Sequence, residues 1–191
     1  SAEPVDKLEL PKEAPTVADR ADPEALQAAM DRRLDQAYAA LEPADLTWPA
    51  LFGPNRDGTV DAPVGAVWPP SGPEQVWQVD VGTGYGSPVT AKGRVVFNHR
   101  VEQEEIIQCH DGLTGDLVWQ HTFPTFFECQ DNEYSDGPYS TPLIDPENDH
   151  VFNVGAQGQL MCLNFDNGDV VWQRDLHADY DMEAEMFPVG A

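Results

Sequence analysis

The chain's 191 residues suffice for one ordinary domain, and 41% of them are apolar, enough to build a core. Acidic side chains outnumber basic ones by 34 to 10, a formal charge of −24, which excludes a phosphate-gripping surface and, with it, nucleic acid as a partner. No apolar run approaches the roughly 18 residues of a membrane-crossing helix, so no transmembrane segment is expected.

Residues 1–22 are rich in proline and charge and predict a flexible acidic arm. The opening Ser1-Ala2-Glu3-Pro4 fits a mature end left by signal-peptide removal, and on that reading the protein is periplasmic or secreted. An amphipathic helix is expected over 23–42. Asp22 supplies its cap, Pro23 suits the first turn, and Leu26, Met30, Leu34, Ala37, Tyr38 and Leu41 form one apolar stripe. Residues 43–74 hold Trp48-Pro49, Gly53-Pro54-Asn55-Arg56-Asp57-Gly58 and Ser71-Gly72-Pro73, the composition of a turn-rich lead-in.

From Gln75 the pattern changes to strands. Val76-Trp77-Gln78-Val79-Asp80-Val81 alternates and predicts a strand over 75–81. Four strands follow near 87–91, 94–101, 104–110 and 116–123, and four more near 140–145, 150–155, 159–165 and 169–176. Lys92-Gly93, Thr114-Gly115, Asn148-Asp149 and Asn167-Gly168 supply the turns that make each set antiparallel. A further unit is expected to begin at 187–191.

The two sets are copies of each other. Cys109-His110-Asp111-Gly112-Leu113-Thr114-Gly115-Asp116-Leu117-Val118-Trp119 recurs as Cys162-Leu163-Asn164-Phe165-Asp166-Asn167-Gly168-Asp169-Val170-Val171-Trp172, with an offset of 53 at the Cys, the Gly and the Trp. Short strands repeating every 40–55 residues or so predict a β-propeller. The expected fold is all-β, with four-stranded antiparallel blades over 87–123 and 140–176 and a short N-terminal helix. The strand over 75–81 is expected to close the last blade of the ring. Two blades cannot close a ring, so the rest of the propeller is expected on the same polypeptide.

Cys109 to Trp119 fits the tryptophan-docking pattern Ala-x-Asp-x-x-Thr-Gly-x-x-x-Trp, with Cys in place of Ala. The second copy departs at Asn164 and Asn167. On these residues the chain resembles the PQQ-like (quinoprotein-like) propeller repeat family and its secreted bacterial members. The resemblance implies a structural docking role for Trp77, Trp119 and Trp172, with Asp111, Thr114, Gly115 and Gly168 shaping the turns that receive them. It implies PQQ and calcium as cofactors for the dehydrogenases of the family. The adjacent cysteine pair of many of those enzymes does not occur here.

Cys109, Cys129 and Cys162 are too few for a disulfide framework, and Cys109 and Cys162, at matching repeat positions, predict small core residues. His99, His110, His121, His150 and His177 show no zinc spacing and are expected on polar strand faces or loops. The connection between the blades is the most unusual insertion. Phe126, Phe127 and Tyr134 beside Glu128, Asp131, Glu133 and Asp136 make it a candidate ligand platform with hard oxygen donors for calcium.

With docking residues in place and no recognisable catalytic constellation, the expected function is a binding or scaffold module with a protein partner or a small ligand. One alternative is a PQQ- and calcium-dependent alcohol dehydrogenase whose active site lies largely outside this stretch. Another is a subunit of an electron-transfer or envelope assembly complex.

Overall fold

The structure, a computed structural model, describes residues 47–59, 72, 75–128, 136–181 and 189. The expected arm over 1–22 and helix over 23–42 lie outside them, as do Cys129, Asp131, Glu133 and Tyr134 of the inter-blade connection and most of 187–191. The chain divides into two compact units, Ser1–Glu42 with Pro63–Glu74 and Pro43–Ala62 with Gln75–Ala191. All described residues except Gly72 belong to the second.

The second unit carries two four-stranded antiparallel sheets. The first is β1 (Val89–Ala91), β2 (Arg94–Val101), β3 (Glu104–Asp111) and β4 (Leu117–Pro124), paired in chain order. The second is β5 (Leu143–Asp145), β6 (His150–Val154), β7 (Gln159–Asn164) and β8 (Val170–Asp175), paired the same way. These are the two expected blades. Both third-to-fourth pairings shift register at the same repeat position, between Cys109 and His110 and between Cys162 and Leu163. The shift leaves Val118 without an opposite residue and turns Trp119 onto its own path.

Alternation along the strands decides what faces the seam between the sheets. Val89, Ala91, Val96, Ile107, Cys109, Trp119 and Phe123 of the first blade form one buried cluster with Ile144, Val151, Met161, Leu163 and Phe165 of the second. Each large side chain so buried contributes about 1.5–3 kcal/mol against exposure, so this shared core holds the blades together.

The sheets approach along their first strands, β1 and β5. There the lead-in adds a rung, because Trp48 and Thr90 exchange backbone hydrogen bonds of 2.8 and 2.9 Å. One residue later, Pro49 O accepts from Ile144 N at 2.8 Å, so the lead-in ties β1 to β5.

The second sheet does not run on to residue 176 as expected. Asp175 instead caps a short helix, α1 (Leu176–Tyr180), its side chain accepting from Ala178 N, and Asp181 ends it in the left-handed region. Among the described residues no helix is long and apolar enough to cross a membrane.

Candidate functional site

The residues of the repeated motif occupy two copies of one turn arrangement. The Asp111 carboxylate accepts from Leu113 N and Thr114 N, each at 2.9 Å, and closes the turn. The Thr114 and Leu113 backbone N–H groups hold that carboxyl below the usual carboxylate range. Thr114 Oγ1 donates to Asp116 Oδ2. In the second blade Asn164 Oδ1 accepts from Asp166 N and Asn167 N, and Asn167 Nδ2 donates to Asp169 Oδ2. The two departures from the repeat pattern therefore keep its hydrogen bonds.

Onto each turn an indole is laid. Trp77 Nε1 donates to Gly112 O at 3.0 Å with its ring on Gly115, and Trp119 Nε1 donates to Phe165 O at 2.8 Å with its ring on Gly168. Both glycines have positive φ, 76° and 75°, and a Cβ there would come within 2.7 and 2.6 Å of the ring. Trp172 has no such turn to meet among the described residues, and it is 40% exposed on a strand whose residues are all exposed. Residues 75–82 form no ladder with the described strands; Trp77 anchors them instead.

The inter-blade connection is gripped by Arg100, which sequence analysis did not single out. Its guanidinium is only 6% exposed and donates to Phe127 O at 2.5 Å, Asp136 O at 2.7 Å and Glu102 O at 2.7 Å. Asp136 Oδ2 lies 3.5 Å from it. Arg100 thus fixes Phe127 and Asp136, one on each side of the insertion. Phe126 is left largely exposed beside the exposed Glu128, and its N–H donates to Gln157 Oε1 of the second blade.

Beneath this connection the seam turns polar. Asn98 Nδ2 donates to Asn153 Oδ1 at 2.7 Å and Ser140 O at 3.1 Å, while Glu105 Oε1 accepts from Ala156 N at 2.9 Å. Asn98 Oδ1, Asn153 Nδ2 and Glu105 Oε2 are buried without hydrogen-bond partners among the described residues. The signal for these residues was the alternation itself: Asn98 and Arg100 continue the face of Val96, and Glu105 that of Cys109 and Ile107.

Two histidines depart from the expected polar faces. His99 and His110 are buried with Phe97 in a row of rings that Trp77 continues, because residues 75–85 cover this side of the first blade. His99 Nδ1 accepts from Gly82 N, and burial pushes its pKa below the usual value. Cys109 and Cys162 are free and buried, and burial pushes the Cys109 thiol up to about 11. No three His, Cys, Asp or Glu side chains among the described residues come together as a metal site.

Three comparisons bear on this geometry. The family model described as outer membrane protein assembly factor BamB matches residues 60–185. No curated protein matches the chain. Among solved structures, a europium-containing methanol dehydrogenase aligns with 46% of this chain at 18% identity and a TM-score of 0.34. The chain spans 14% of that enzyme's length. With the family model covering most of its length, and with two four-stranded blades in series, the chain belongs to the PQQ-like β-propeller repeat family.

Proposed function

We propose that this chain is the binding or scaffold part of a periplasmic or secreted PQQ-like propeller, and that the connection between its blades is the contact surface. Arg100 carries this reading. A buried guanidinium is costly unless its hydrogen bonds are satisfied, and here they are spent on Phe127 O and Asp136 O of the connection. The result is a held aromatic and acidic edge made of Phe126, Phe127, Glu128 and Asp136, to which Asp131, Glu133 and Tyr134 belong in sequence. Such an edge, on a chain of charge −24, suits a partner protein with basic and apolar contact residues. Further blades of the same polypeptide are proposed to cover β8, where Trp172 presents an indole that no turn among the described residues receives.

Envelope location and a role in protein assembly are supported by the family description alone. The direct test is a photo-crosslinking residue at Phe126, irradiated in cells, with an equally exposed residue, Leu113, as control. A discrete adduct from position 126, weakened by Arg100→Gln, is expected. Equal adducts from both positions would defeat the contact-surface assignment.

The dehydrogenase reading separates in the same preparation. Titration with PQQ and calcium, followed by absorbance and by dye reduction with alcohols, should give no saturable change. Saturation with turnover would replace the scaffold by an enzyme. Co-purification of a cytochrome would instead favour an electron-transfer subunit.

A further inference from the structure

We propose that Glu105 and Arg100 form a proton-operated latch on the connection between the blades. The two residues are direct partners in the β2–β3 ladder, so their side chains leave the sheet on one face. Both are buried, Glu105 to 1% and Arg100 to 6% exposure, yet Arg100 spends its hydrogen bonds on backbone carbonyls and its ion pair on Asp136. Glu105 Oε1 accepts from Ala156 N, and Glu105 Oε2 has no partner among the described residues. One oxygen of a buried carboxyl is therefore idle beside a guanidinium committed elsewhere.

This arrangement is stable while the carboxyl is uncharged. Loss of its proton places a full negative charge opposite Arg100 in a site of low dielectric, where it competes for the guanidinium with the backbone carbonyls and with the more exposed Asp136 carboxylate. Turning Arg100 toward Glu105 Oε2 removes the hydrogen bonds to Phe127 O and Asp136 O. The proton leaves to solvent, and its return restores the grip.

The other groups packed on Glu105 do not duplicate this role. Phe123 of β4 lies opposite it in the β3–β4 ladder, the Ala156 amide donates to it, and the nearby Thr125 hydroxyl donates to Gln157 Oε1. Among charged or titratable groups, Arg100 has Asp136 as its ion pair, and His121 lies two residues along β4 from Phe123. Burial holds the Glu105 carboxyl above its usual range, with the Arg100 charge acting the other way. In the second blade the matching ladder ends at Val154 and Leu160, so the latch belongs to the first blade alone.

Hydrogen exchange of peptides carrying Phe127 and Asp136, corrected for intrinsic rates, tests the latch from about pH 4 to about pH 8. Protection in the wild-type chain should fall roughly tenfold as pH rises through the Glu105 titration. Glu105→Gln, which copies the uncharged acid, should keep the high protection throughout. Arg100→Gln should show low protection throughout, while amides of β6 and β7 stay protected and report an intact fold. A Glu105→Gln profile that follows the wild-type one, or a wild-type profile without pH dependence, would overturn the proposal. The latch needs no ligand, so its failure would leave the contact-surface reading standing.

Discussion

The Trp119 indole donates to Phe165 O across the seam at 2.8 Å, the bond that Trp77 makes to Gly112 O one repeat earlier at 3.0 Å. Trp119 is 6% exposed and Trp172, at the same repeat position, 40%. Trp119→Phe removes one of two donors to the Phe165 carbonyl, leaving Arg94 Nη1 at 3.0 Å, and opens a void beside Gly168. It should lower unfolding free energy by about 1–3 kcal/mol, while Trp172→Phe should change it by less than about 0.5 kcal/mol. Guanidinium unfolding of both variants measures the contrast. Equal losses would mean that the docked indole does not bind the blades.

Gly168 and Gly58 separate backbone strain from steric fit. Their φ values are 75° and 79°, but a Cβ on Gly58 meets nothing within 4 Å, whereas one on Gly168 meets the Trp119 ring at 2.6 Å. Gly58→Ala should therefore cost only the left-handed penalty of about 1–2 kcal/mol. Gly168→Ala adds displacement of a buried ring, and about 2–4 kcal/mol is expected. A shift of the denaturation midpoint no larger for Gly168→Ala than for Gly58→Ala would show that the ring yields freely.

Why the blades were legible and the seam less so follows from the same residues. A strand's period of two and the copied run from Cys to Trp depend on neighbours in sequence, so both blades and the indole positions could be read directly. Asn98, Arg100 and Glu105 were visible only as polar residues on an otherwise apolar face. Their partners, Asn153, Phe127, Asp136 and Ala156, lie 27 to 55 residues away, and no local pattern links them. The burial of His99 and His110 depends on 75–85 folding back over the first blade, which again is tertiary information.

Cys109 has a thiol pushed up to about 11, so almost none is thiolate at neutral pH, and it is fully buried. Brief alkylation of the native chain followed by peptide mapping should leave Cys109 and Cys162 unmodified, with labelling only in denaturant. Rapid native labelling of Cys109 would place it at a surface that the shared core does not leave open.

Two buried groups should bend the pH dependence of stability in opposite directions. The usual Glu value is 4.5, and burial raises that of Glu105 in the folded chain. The native state then holds a proton that the unfolded chain has released, so this contribution is full below about 4.5 and is lost as pH rises through the folded value. For His99 burial lowers the folded pKa from 6.5, so stability falls as pH drops below about 6.5 toward the folded value. Urea unfolding of Glu105→Gln should remove the loss on rising pH and leave the acid-side loss in place. At neutral pH that variant should exceed the wild type in stability, because it buries an uncharged amide of the same shape. A Glu105→Gln curve running parallel to the wild type across the range would mean that the carboxyl ionises as freely in the seam as in water.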